Sequence, residues 1–479
     1  MEKTPTIERF SRILTGLMLA AFGLLTAAGM LMGAVKSRSY IVAFCLGAVC
    51  FALALLLWKK WPQSDRVFES RMTPYALALL CLAVNLAWVL LVRVEPAGDY
   101  ATFAHSAQDL AAGQTPRTAR YLAMFPHILG YATFLSLFFR VFGDSWLVAP
   151  LVNVGLTVIS GCVLYALCLR WRDRRTAACA SLLWTFCPSK LLYNTMALSE
   201  PFYTCLILLF LLIVTELERG EHKTLSFAGA AAASAVALVC VNAARPIALI
   251  PLIAFFIWRF ILRSRPWTRP ERLNWVVFTM LTVALYGALG GVWDWYAERT
   301  LGETPAGLPG YSIYVGFNEE SGGSYSNDDM DRLIHYGYDV YGNAQEAQAK
   351  MLEEAKARIT SGQIHFPRLF LTKVQTFLGN DEGGAYYSMA SLSPTQYSVW
   401  AVLSNMYYYA LVLLTLLGAW TLWRQRAAST VLMVPMYVLG LTLAHMLVEV
   451  AGRYHYSVIP MFVICAAHFC GGKVYNSHD

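Results

Sequence analysis

The sequence predicts an all-α protein that crosses a membrane many times. Of its 479 residues, 57% are hydrophobic and 14% are charged, whereas soluble domains carry roughly a quarter charged residues. Apolar runs near the ~20 residues that a helix needs to cross a bilayer recur along the whole chain. We therefore predict a bundle of about twelve spans, with an interfacial or re-entrant helix on its outer face and a small, mainly helical extracytoplasmic domain.

Each predicted span is an apolar run bounded by polar or charged sequence. The first run is longer than the apolar part of a signal peptide, so we predict an uncleaved first helix. The chain then divides into an N-terminal transmembrane hairpin (1–72), a core (73–295) with the first outer loop at 94–143, an extracytoplasmic domain (296–397) and C-terminal helices (398–479). The predicted spans lie at about 13–35, 40–58, 75–92, 146–169, 177–195, 201–217, 225–243, 247–262, 275–295, 399–423, 431–448 and 457–470.

Basic residues predict which side of the membrane each loop occupies. The net charge is +7, and Lys and Arg are concentrated in alternate loops, namely KKWPQSDRVFESR, RWRDRR, RSRPWTRPER and RQR. Cytoplasmic loops carry such an excess. We therefore place both termini in the cytoplasm of a multi-pass cell-membrane protein, with the loop at 94–143 outside. Because topology accounts for the charge, we predict no nucleic-acid partner.

The apolar run at 127–143 is short, and Arg140 interrupts its end. If it crossed the membrane, the next helix would place RWRDRR on the outer side, against the charge rule. We therefore predict a helix that lies in the outer interface or re-enters it. An ordinary span is the alternative.

The long polar segment 296–397 begins with Gly-, Pro- and Ser-rich sequence, which is turn-prone and is expected to bury little. Residues 343–362 are rich in strong helix formers and predict a solvated helix. Residues 365–379 carry their apolar side chains on one face and predict a helix on the membrane surface. None of the 11 cysteines lies in this segment, and no CxxC pair occurs. The sequence therefore predicts neither a disulfide framework nor a zinc site.

Asp99 is the leading catalytic candidate. It lies a few residues beyond the predicted span at 75–92, in the first sizeable polar stretch of the chain. A carboxylate held beside the membrane with few charges to pair it is a candidate functional residue. An ordinary loop position is the alternative.

Other polar side chains lie at the outer ends of predicted spans, at the same water–lipid boundary. Glu200 begins a span in LSEPF, with Lys190 nearby in CPSKLLYN, and Arg245 lies between two spans in NAARPIAL. The remaining candidates are Glu449, Arg453, Tyr454 and His455 at the last outer junction, and His105, Arg117, Arg120 and His127 in the first outer loop.

These residue types suit transfer of a sugar from a polyprenyl phosphate. Such a donor keeps its tail in the lipid and its phosphate at the headgroups. Arginines stabilise the phosphate as it leaves, and a carboxylate accepts the proton of the attacking hydroxyl. Because the phosphate leaves without being protonated, one carboxylate suffices, in contrast to glycoside hydrolysis.

Each candidate also has a purely structural interpretation. An arginine near a span end can anchor the helix at the headgroups, and an acid can pair with an arginine four residues away. An acid at a helix N-terminus interacts favourably with the helix dipole. The headgroup anchor is the alternative for Arg117, Arg120 and Arg245. Pairing is the alternative for Glu449 with Arg453, and the helix dipole is the alternative for Glu200.

The order of these features resembles the GT-C superfamily of polytopic glycosyltransferases, which includes protein O-mannosyltransferases and lipid A aminoarabinose transferases. The resemblance covers roughly residues 75–470. It rests on GDY at 98–100, FPHILGYATFLSLFFRVFG, LSEPF, RP at 245–246, and an acid before RY and a proline (Glu449, Arg453, Tyr454 and Pro460).

The resemblance implies a polyprenyl-phosphate sugar donor, inversion at the anomeric carbon, Asp99 as the catalytic base, and phosphate binding by Arg245 and Arg453. Many members carry paired acids in the first loop, whereas the nearest acid here is Glu95, and two spans precede the usual first one. The cofactor is therefore left open, although Asp99 and Glu200 offer oxygen ligands for a divalent cation. The donor-binding candidates are Arg245, Arg453, Tyr454, Glu200, Glu449, His127, Lys190 and Arg120.

The acceptor is a glycan, a glycolipid or a protein, and the sequence does not choose among them. Two other classes of function stay open, namely a transporter or flippase for lipid-linked sugar and a non-catalytic scaffold. Transporters often contain internal repeats. No repeat is evident here, and the notable charges gather at one face of the predicted bundle, which favours an enzyme.

Overall fold

The computed structural model describes residues 5–60, 68, 70–219, 224–262 and 268–471. Within these residues the chain is helical and contains no β-strand, which confirms the predicted all-α class. Parts of three predicted cytoplasmic loops (61–67, 69, 220–223 and 263–267) and both chain ends lie outside the described residues. The helices are α1 Pro5–Ala34, α2 Arg38–Lys60, α3 Thr73–Leu91, α4 Gly98–Ala111, α5 Ala119–Met124, α6 His127–Phe142, α7 Val148–Trp171, α8 Arg174–Thr185, α9 Pro188–Tyr193, α10 Glu200–Arg219, α11 Thr224–Ala244, α12 Leu249–Phe256, α13 Arg269–Leu301, α14 Gly310–Gly316, α15 Asn327–Ile334, α16 Ala344–Thr360, α17 Phe366–Leu378, α18 Gly383–Ser388, α19 Pro394–Arg424, α20 Met433–Leu447 and α21 Val458–Cys470.

Nine helices in the described part of the chain are long and apolar enough to cross a membrane, and each coincides with a predicted span. The polytopic class is therefore confirmed. Two further predicted spans, 247–262 and 457–470, correspond to shorter apolar helices, Leu249–Ile261 and Val458–Cys470. A helix of 13 residues covers only about 20 Å, less than the ~30 Å hydrocarbon core. The count of about twelve spans thus stays a prediction.

The predicted span at 177–195 is not one helix. Helix α8 ends at Thr185, Cys187 is extended (φ −69°, ψ 113°), and α9 begins at Pro188. A proline disfavours the helical conformation of the residue before it, so the chain leaves the helix at Cys187. The prediction followed the continuous hydropathy and missed the effect of the proline.

Helix α6 covers the run that we predicted to be interfacial or re-entrant, and its 16 residues reach only about 24 Å. It packs against α4 and α11. A Cβ atom on Gly130 would lie 2.0 Å from the carbonyl oxygen of Ala243, so the glycine allows the two backbones to touch. The helix is therefore fixed against the core.

The segment 296–397 is more tightly packed than its composition suggests. Helix α14 arises from the Gly/Pro-rich stretch that was expected to bury little, and its Tyr311 is buried. The Tyr311 N–H donates to Oε1 of Gln348 on α16 (2.7 Å), and Nε2 of Gln348 donates to the carbonyl oxygen of Met124 (3.1 Å). The predicted helix α16 is present, but one face of it is buried against α14. The segment therefore packs onto the first outer loop.

The two ends of α1 mark the two ends of the bundle. Near its C-terminal end, a Cβ atom on Gly33 would lie 1.8 Å from the carbonyl oxygen of Gly379, so these backbones are in contact. Near its N-terminal end, Ser11 Oγ donates to the carbonyl oxygen of Leu262 (2.7 Å). The long helix α19 ends at Arg424 beside that second end.

Candidate functional site

Asp99 and Arg453 form an ion pair at the end of the bundle where α1 contacts Gly379. Asp99 lies in the first turn of α4, directly after Gly98, whose φ of +53° suits a glycine. Arg453 lies in the short 3₁₀ turn Gly452–His455 between α20 and α21. Its Nη2 donates a hydrogen bond to Asp99 Oδ2. The Arg453 side chain is 10% exposed and that of Asp99 is 42% exposed, so the carboxylate is the accessible partner.

Glu200 approaches the same guanidinium from the other side. It is the first residue of α10 and is buried, with Oε1 3.7 Å from Nε of Arg453, too far for a hydrogen bond. Glu200 Oε2 and the Nε and Nη1 groups of Arg453 have no hydrogen-bond partner. Buried polar groups are nearly always satisfied. These orphaned groups therefore indicate a position for a polar ligand beside Arg453.

A second guanidinium, that of Arg245, lies over an aromatic ring of the same site. Its Cζ is 3.7 Å from the centroid of the Tyr454 ring, within the range of a cation–π contact. The ring of His445 also stacks on Tyr454, at 5.3 Å between centroids. The aromatic contact positions Arg245 without a carboxylate, which leaves its N–H donors for an anion.

Glu449 contacts Tyr454 and does not pair with Arg453. Tyr454 Oη donates to Glu449 Oε1 (3.2 Å), and Val448 and Ala451 are extended, so no helix joins Glu449 to Arg453. The i,i+4 pairing considered for these residues is therefore absent. Burial raises the pKa of Glu449 above its ordinary value, although Arg453 and Arg245 oppose the rise.

The charges of the site determine the protonation of Asp99. Burial alone would raise its pKa, but the positive charge and hydrogen bond of Arg453, with smaller effects of His127 and Arg245, bring the pKa below 3.8. Asp99 is therefore ionised at neutral pH. His127, the first residue of α6, is close enough to interact electrostatically with Asp99, Arg245 and Arg453. The structure thus brings it to the site as well.

Two of the predicted donor-binding residues, Lys190 and Arg120, make contacts away from Arg453. The Lys190 amine is buried and donates to Asn85 Oδ1 (2.6 Å), within a polar cluster of the core. Arg120 pairs with Glu303 (2.6 Å) and so joins α5 to the segment 296–397. Both cations already have protein partners, so we leave them out of the donor site proposed below, and their donor-binding role stays a prediction.

The other first-loop candidates, Arg117 and His105, also lie away from Arg453. Arg117 is 70% exposed and pairs with Asp109 (3.1 Å), while His105 is exposed. Neither contacts Arg453 or Asp99 within the described residues. The sequence did not indicate the pairing of Arg117 with Asp109, because nothing distinguishes Asp109 from any other acid of the predicted outer loop.

Two residues near Arg453, Tyr387 and Asp381, were not predicted from the sequence, and His455 was named without a role. The Arg453 guanidinium lies 4.9 Å from the ring centroid of Tyr387, which lies in the short helix α18. His455 Nε2 contacts Asp381 Oδ1 (3.0 Å), and both side chains are buried. Because His455 is two residues after Arg453, this buried pair fixes the turn that carries the guanidinium.

The arrangement of charges around Arg453 affects whether the site could bind a divalent cation. Asp99 and Glu200 were the oxygen ligands considered for one, and Arg453 lies between them. Its guanidinium supplies positive charge where a shared cation would lie. Among the described residues no group of three or more His, Cys, Asp or Glu side chains is arranged to hold a metal ion. The residues present therefore fit an arginine-centred site better than a metal centre.

The fold and site define a polytopic helical membrane protein with an arginine- and carboxylate-lined centre at one end of its bundle. Residues 127–288 match the family model described as dolichyl-phosphate-mannose-protein mannosyltransferase. This match confirms, for that part of the chain, the predicted resemblance to GT-C glycosyltransferases. No curated protein sequence matches the chain.

Solved structures give two further similarities. The archaeal oligosaccharyltransferase AglB from Archaeoglobus fulgidus, in complex with an inhibitory peptide and a dolichol-phosphate, is 11% identical, with a TM-score of 0.49 over 84% of this chain and 50% of that chain. ArnT from Cupriavidus metallidurans bound to undecaprenyl phosphate is 14% identical, with a TM-score of 0.37 over 81% and 78% of the two chains. The chain thus spans about half the length of the AglB chain.

Proposed function

We propose that the protein is an inverting glycosyltransferase that moves a sugar from a polyprenyl-phosphate donor to an acceptor on the outer face of the membrane. The observation that carries the proposal is the buried guanidinium of Arg453, which contacts Asp99 and keeps two N–H groups without a protein partner. A leaving phosphate and an attacking hydroxyl need this combination of a cation and a base. The family-model match over 127–288 supports the same reaction class.

In this mechanism Asp99 is the general base. The acceptor oxygen attacks the anomeric carbon and gives its proton to the Asp99 carboxylate. The bond from that carbon to the phosphate oxygen breaks, and the phosphate leaves with the bonding electrons. Attack from the side opposite the phosphate inverts the anomeric centre. The low pKa of Asp99 keeps the base ionised before the acceptor arrives.

The phosphate lies between the two arginines. Nε and Nη1 of Arg453 donate to its oxygens, and Arg245, positioned by Tyr454, supplies the second charge. Glu200, with its free Oε2, accepts from a sugar hydroxyl, and Glu449 and His127 line the donor site. Lys190 and Arg120 take no part. No metal ion is needed, because the arginines carry the charge stabilisation.

The proposal is tested by Asp99→Asn. The purified protein is reconstituted with labelled polyprenyl-phosphate mannose and membranes as acceptor, and transferred label is counted. We expect a loss of about 100-fold or more, because the amide cannot accept the proton, with donor binding retained. The matched control is Glu95→Gln, an exposed acid nearby that pairs with the exposed Arg93, and it should keep full activity. Transfer by Asp99→Asn at the wild-type rate would refute the base assignment, and a flippase would form no glycosidic bond in either protein.

A further inference from the structure

Both ring nitrogens of His455 face oxygen acceptors inside the protein. Nδ1 lies 2.7 Å from the carbonyl oxygen of Phe377, and Nε2 lies 3.0 Å from Oδ1 of Asp381. The side chains of His455 and Asp381 are only 2% and 3% exposed. A carbonyl oxygen can accept but cannot donate a hydrogen bond, so Nδ1 carries a hydrogen. The charge of the pair then depends on which atom holds the hydrogen between Nε2 and Oδ1.

The contacts of Asp381 indicate that this hydrogen belongs to Nε2. The hydroxyl of Ser189, on α9, also donates to Oδ1 of Asp381, at 2.8 Å. A carboxylate oxygen accepts two hydrogen bonds, whereas a protonated carboxyl oxygen acts as a donor and is a weaker acceptor. Within the described part of the chain, the ion pair of Asp381 is with His455 and with no lysine or arginine. Because a buried carboxylate needs a positive partner, His455 is the imidazolium of the pair.

The surroundings of the His455 ring also favour a positive charge. Phe377 lies in the last turn of α17, where the carbonyl groups of a helix carry partial negative charge. The ring of Tyr408 lies parallel to the imidazole, within 8° and at 5.6 Å between centroids, and an aromatic face attracts a cation. The Tyr408 hydroxyl donates to the carbonyl oxygen of Leu378 (2.8 Å) at the same helix end. Two features that do not involve Asp381 thus support the imidazolium.

The ion pair connects the two segments that contact the Arg453 guanidinium. His455 is the last residue of the 3₁₀ turn that contains Arg453. Asp381 lies two residues before α18, and α18 carries Tyr387, whose ring centroid is 4.9 Å from the guanidinium. The backbone that carries Arg453 and the ring that faces its side chain are therefore held together by one buried pair.

We propose that His455 is a buried imidazolium and that its ion pair with Asp381 positions Arg453 for the reaction. The inference rests on the glycosyl transfer proposed above, because the pair acts through the arginine that contacts Asp99. His455 and Asp381 are positioning residues, since they hold the guanidinium with Nη2 on Asp99 and with Nε and Nη1 toward the phosphate. Misplacing a reacting group by about 1 Å slows a reaction by up to about 100-fold, so loss of the pair should slow the transfer.

Nitrogen NMR of the purified full chain, prepared with isotope-labelled histidine, tests the charge of His455. The signals of His455 are assigned by their loss in His455→Gln. At neutral pH we expect both ring nitrogens of His455 to carry hydrogen, and we expect one of them to lose it in Asp381→Asn, which removes the negative charge. If His455→Gln does not fold, the histidine that changes in Asp381→Asn is His455, because it is in contact with that residue. A bare ring nitrogen on His455 in the wild type would overturn the proposal.

Steady-state kinetics test whether the pair positions Arg453. Asp381→Asn keeps the size of the side chain and an acceptor for Ser189, and we expect kcat to fall about tenfold. In the wild type, Arg453→Lys should cost about tenfold. In the Asp381→Asn background it should cost less than about twofold, because residues that act together do not have additive effects. If Asp381→Asn does not fold, His455→Gln takes its place with the same expectation.

The matched control is Asp109→Asn, which changes another buried acid that accepts a hydrogen bond from an arginine, Arg117. It should keep the wild-type kcat, and Arg453→Lys should still cost about tenfold in its background. Additive losses in the Asp381→Asn background, or an equal fall in kcat from Asp109→Asn, would refute the positioning role. If the wild type transfers no sugar, the proposed glycosyl transfer fails, and the NMR spectrum still decides whether the ion pair exists.

Discussion

Arg453 donates a hydrogen bond to Asp99 across 354 positions of the chain. The pair joins the junction between α20 and α21 to the first turn of α4. The guanidinium is buried while the carboxylate is partly exposed. In the reaction that we propose, an incoming phosphate would meet an arginine that is already oriented, and an incoming hydroxyl would meet an ionised base.

Arg453→Lys tests whether the shape of the guanidinium is needed. Lysine keeps the charge but lacks the planar set of donors that contacts a carboxylate and a phosphate together. We expect kcat/KM to fall about tenfold, and about hundredfold for Arg453→Gln, which removes the charge stabilisation. Steady-state kinetics with varied donor measure both. The control Arg117→Gln removes an exposed arginine of the same region and should have little effect; equal activity of all three variants would exclude phosphate binding by Arg453.

Arg245→Gln separates donor binding from chemistry. Arg245 is held by the ring of Tyr454 at 3.7 Å and has no contact with Asp99 within ion-pair distance. We expect KM for the donor to rise about tenfold, with a smaller change in kcat, because a charge-assisted hydrogen bond is lost. Tyr454→Leu should give the same pattern by releasing the guanidinium. An unchanged KM in Arg245→Gln would remove this residue from the donor site.

The pH profile reports the pairing of Asp99. Burial raises its pKa, and Arg453, His127 and Arg245 lower it, with the net value below 3.8. Since the base must be ionised and the lowered pKa is that of the free protein, kcat/KM should stay constant as the pH falls from neutral to the ordinary pKa range of an aspartate. In Arg453→Gln the lowering contribution is lost and burial remains, so the acid limb should move to higher pH. Both proteins carry Glu449→Gln, which removes a neighbouring carboxyl whose pKa is raised and which would add its own acid limb. An acid limb at the same pH with Arg453 and with Arg453→Gln would contradict the pairing.

Lys373 holds the segment that carries Glu449. Its buried amine donates to the carbonyl oxygens of Gly316 (2.8 Å), Met446 (3.0 Å) and Val448 (2.7 Å). Lys373→Met leaves these acceptors without a donor, so we expect a loss of about 3 kcal/mol of stability. Thermal unfolding followed by tryptophan fluorescence measures the fall in Tm. The control Lys350→Met removes a surface lysine that pairs with Glu353, and it should unfold near the wild-type temperature; a similar Tm for both variants would disprove the role.

The sequence determined the class of the protein and the neighbourhood of the site. Hydropathy is a local property of the chain, so nine spans were located correctly from runs of apolar residues. Asp99, Glu200, Arg245 and Arg453 were predicted together because each lies at the end of a predicted span on the same predicted side, and the structure places these four side chains near one another. The break between α8 and α9 before Pro188 could also have been predicted from the sequence, since proline restricts the backbone of the residue before it.

Only the tertiary structure decided which of these residues act together. It paired Arg453 with Asp99 and not with Glu449, and it buried Lys190 beside Asn85 and Lys373 beside three carbonyls. Side-chain partners depend on which helix ends meet and how each helix is rotated. Both are set by packing between residues far apart in the chain, such as the contact of Gly33 with Gly379, and no local pattern in the sequence records them.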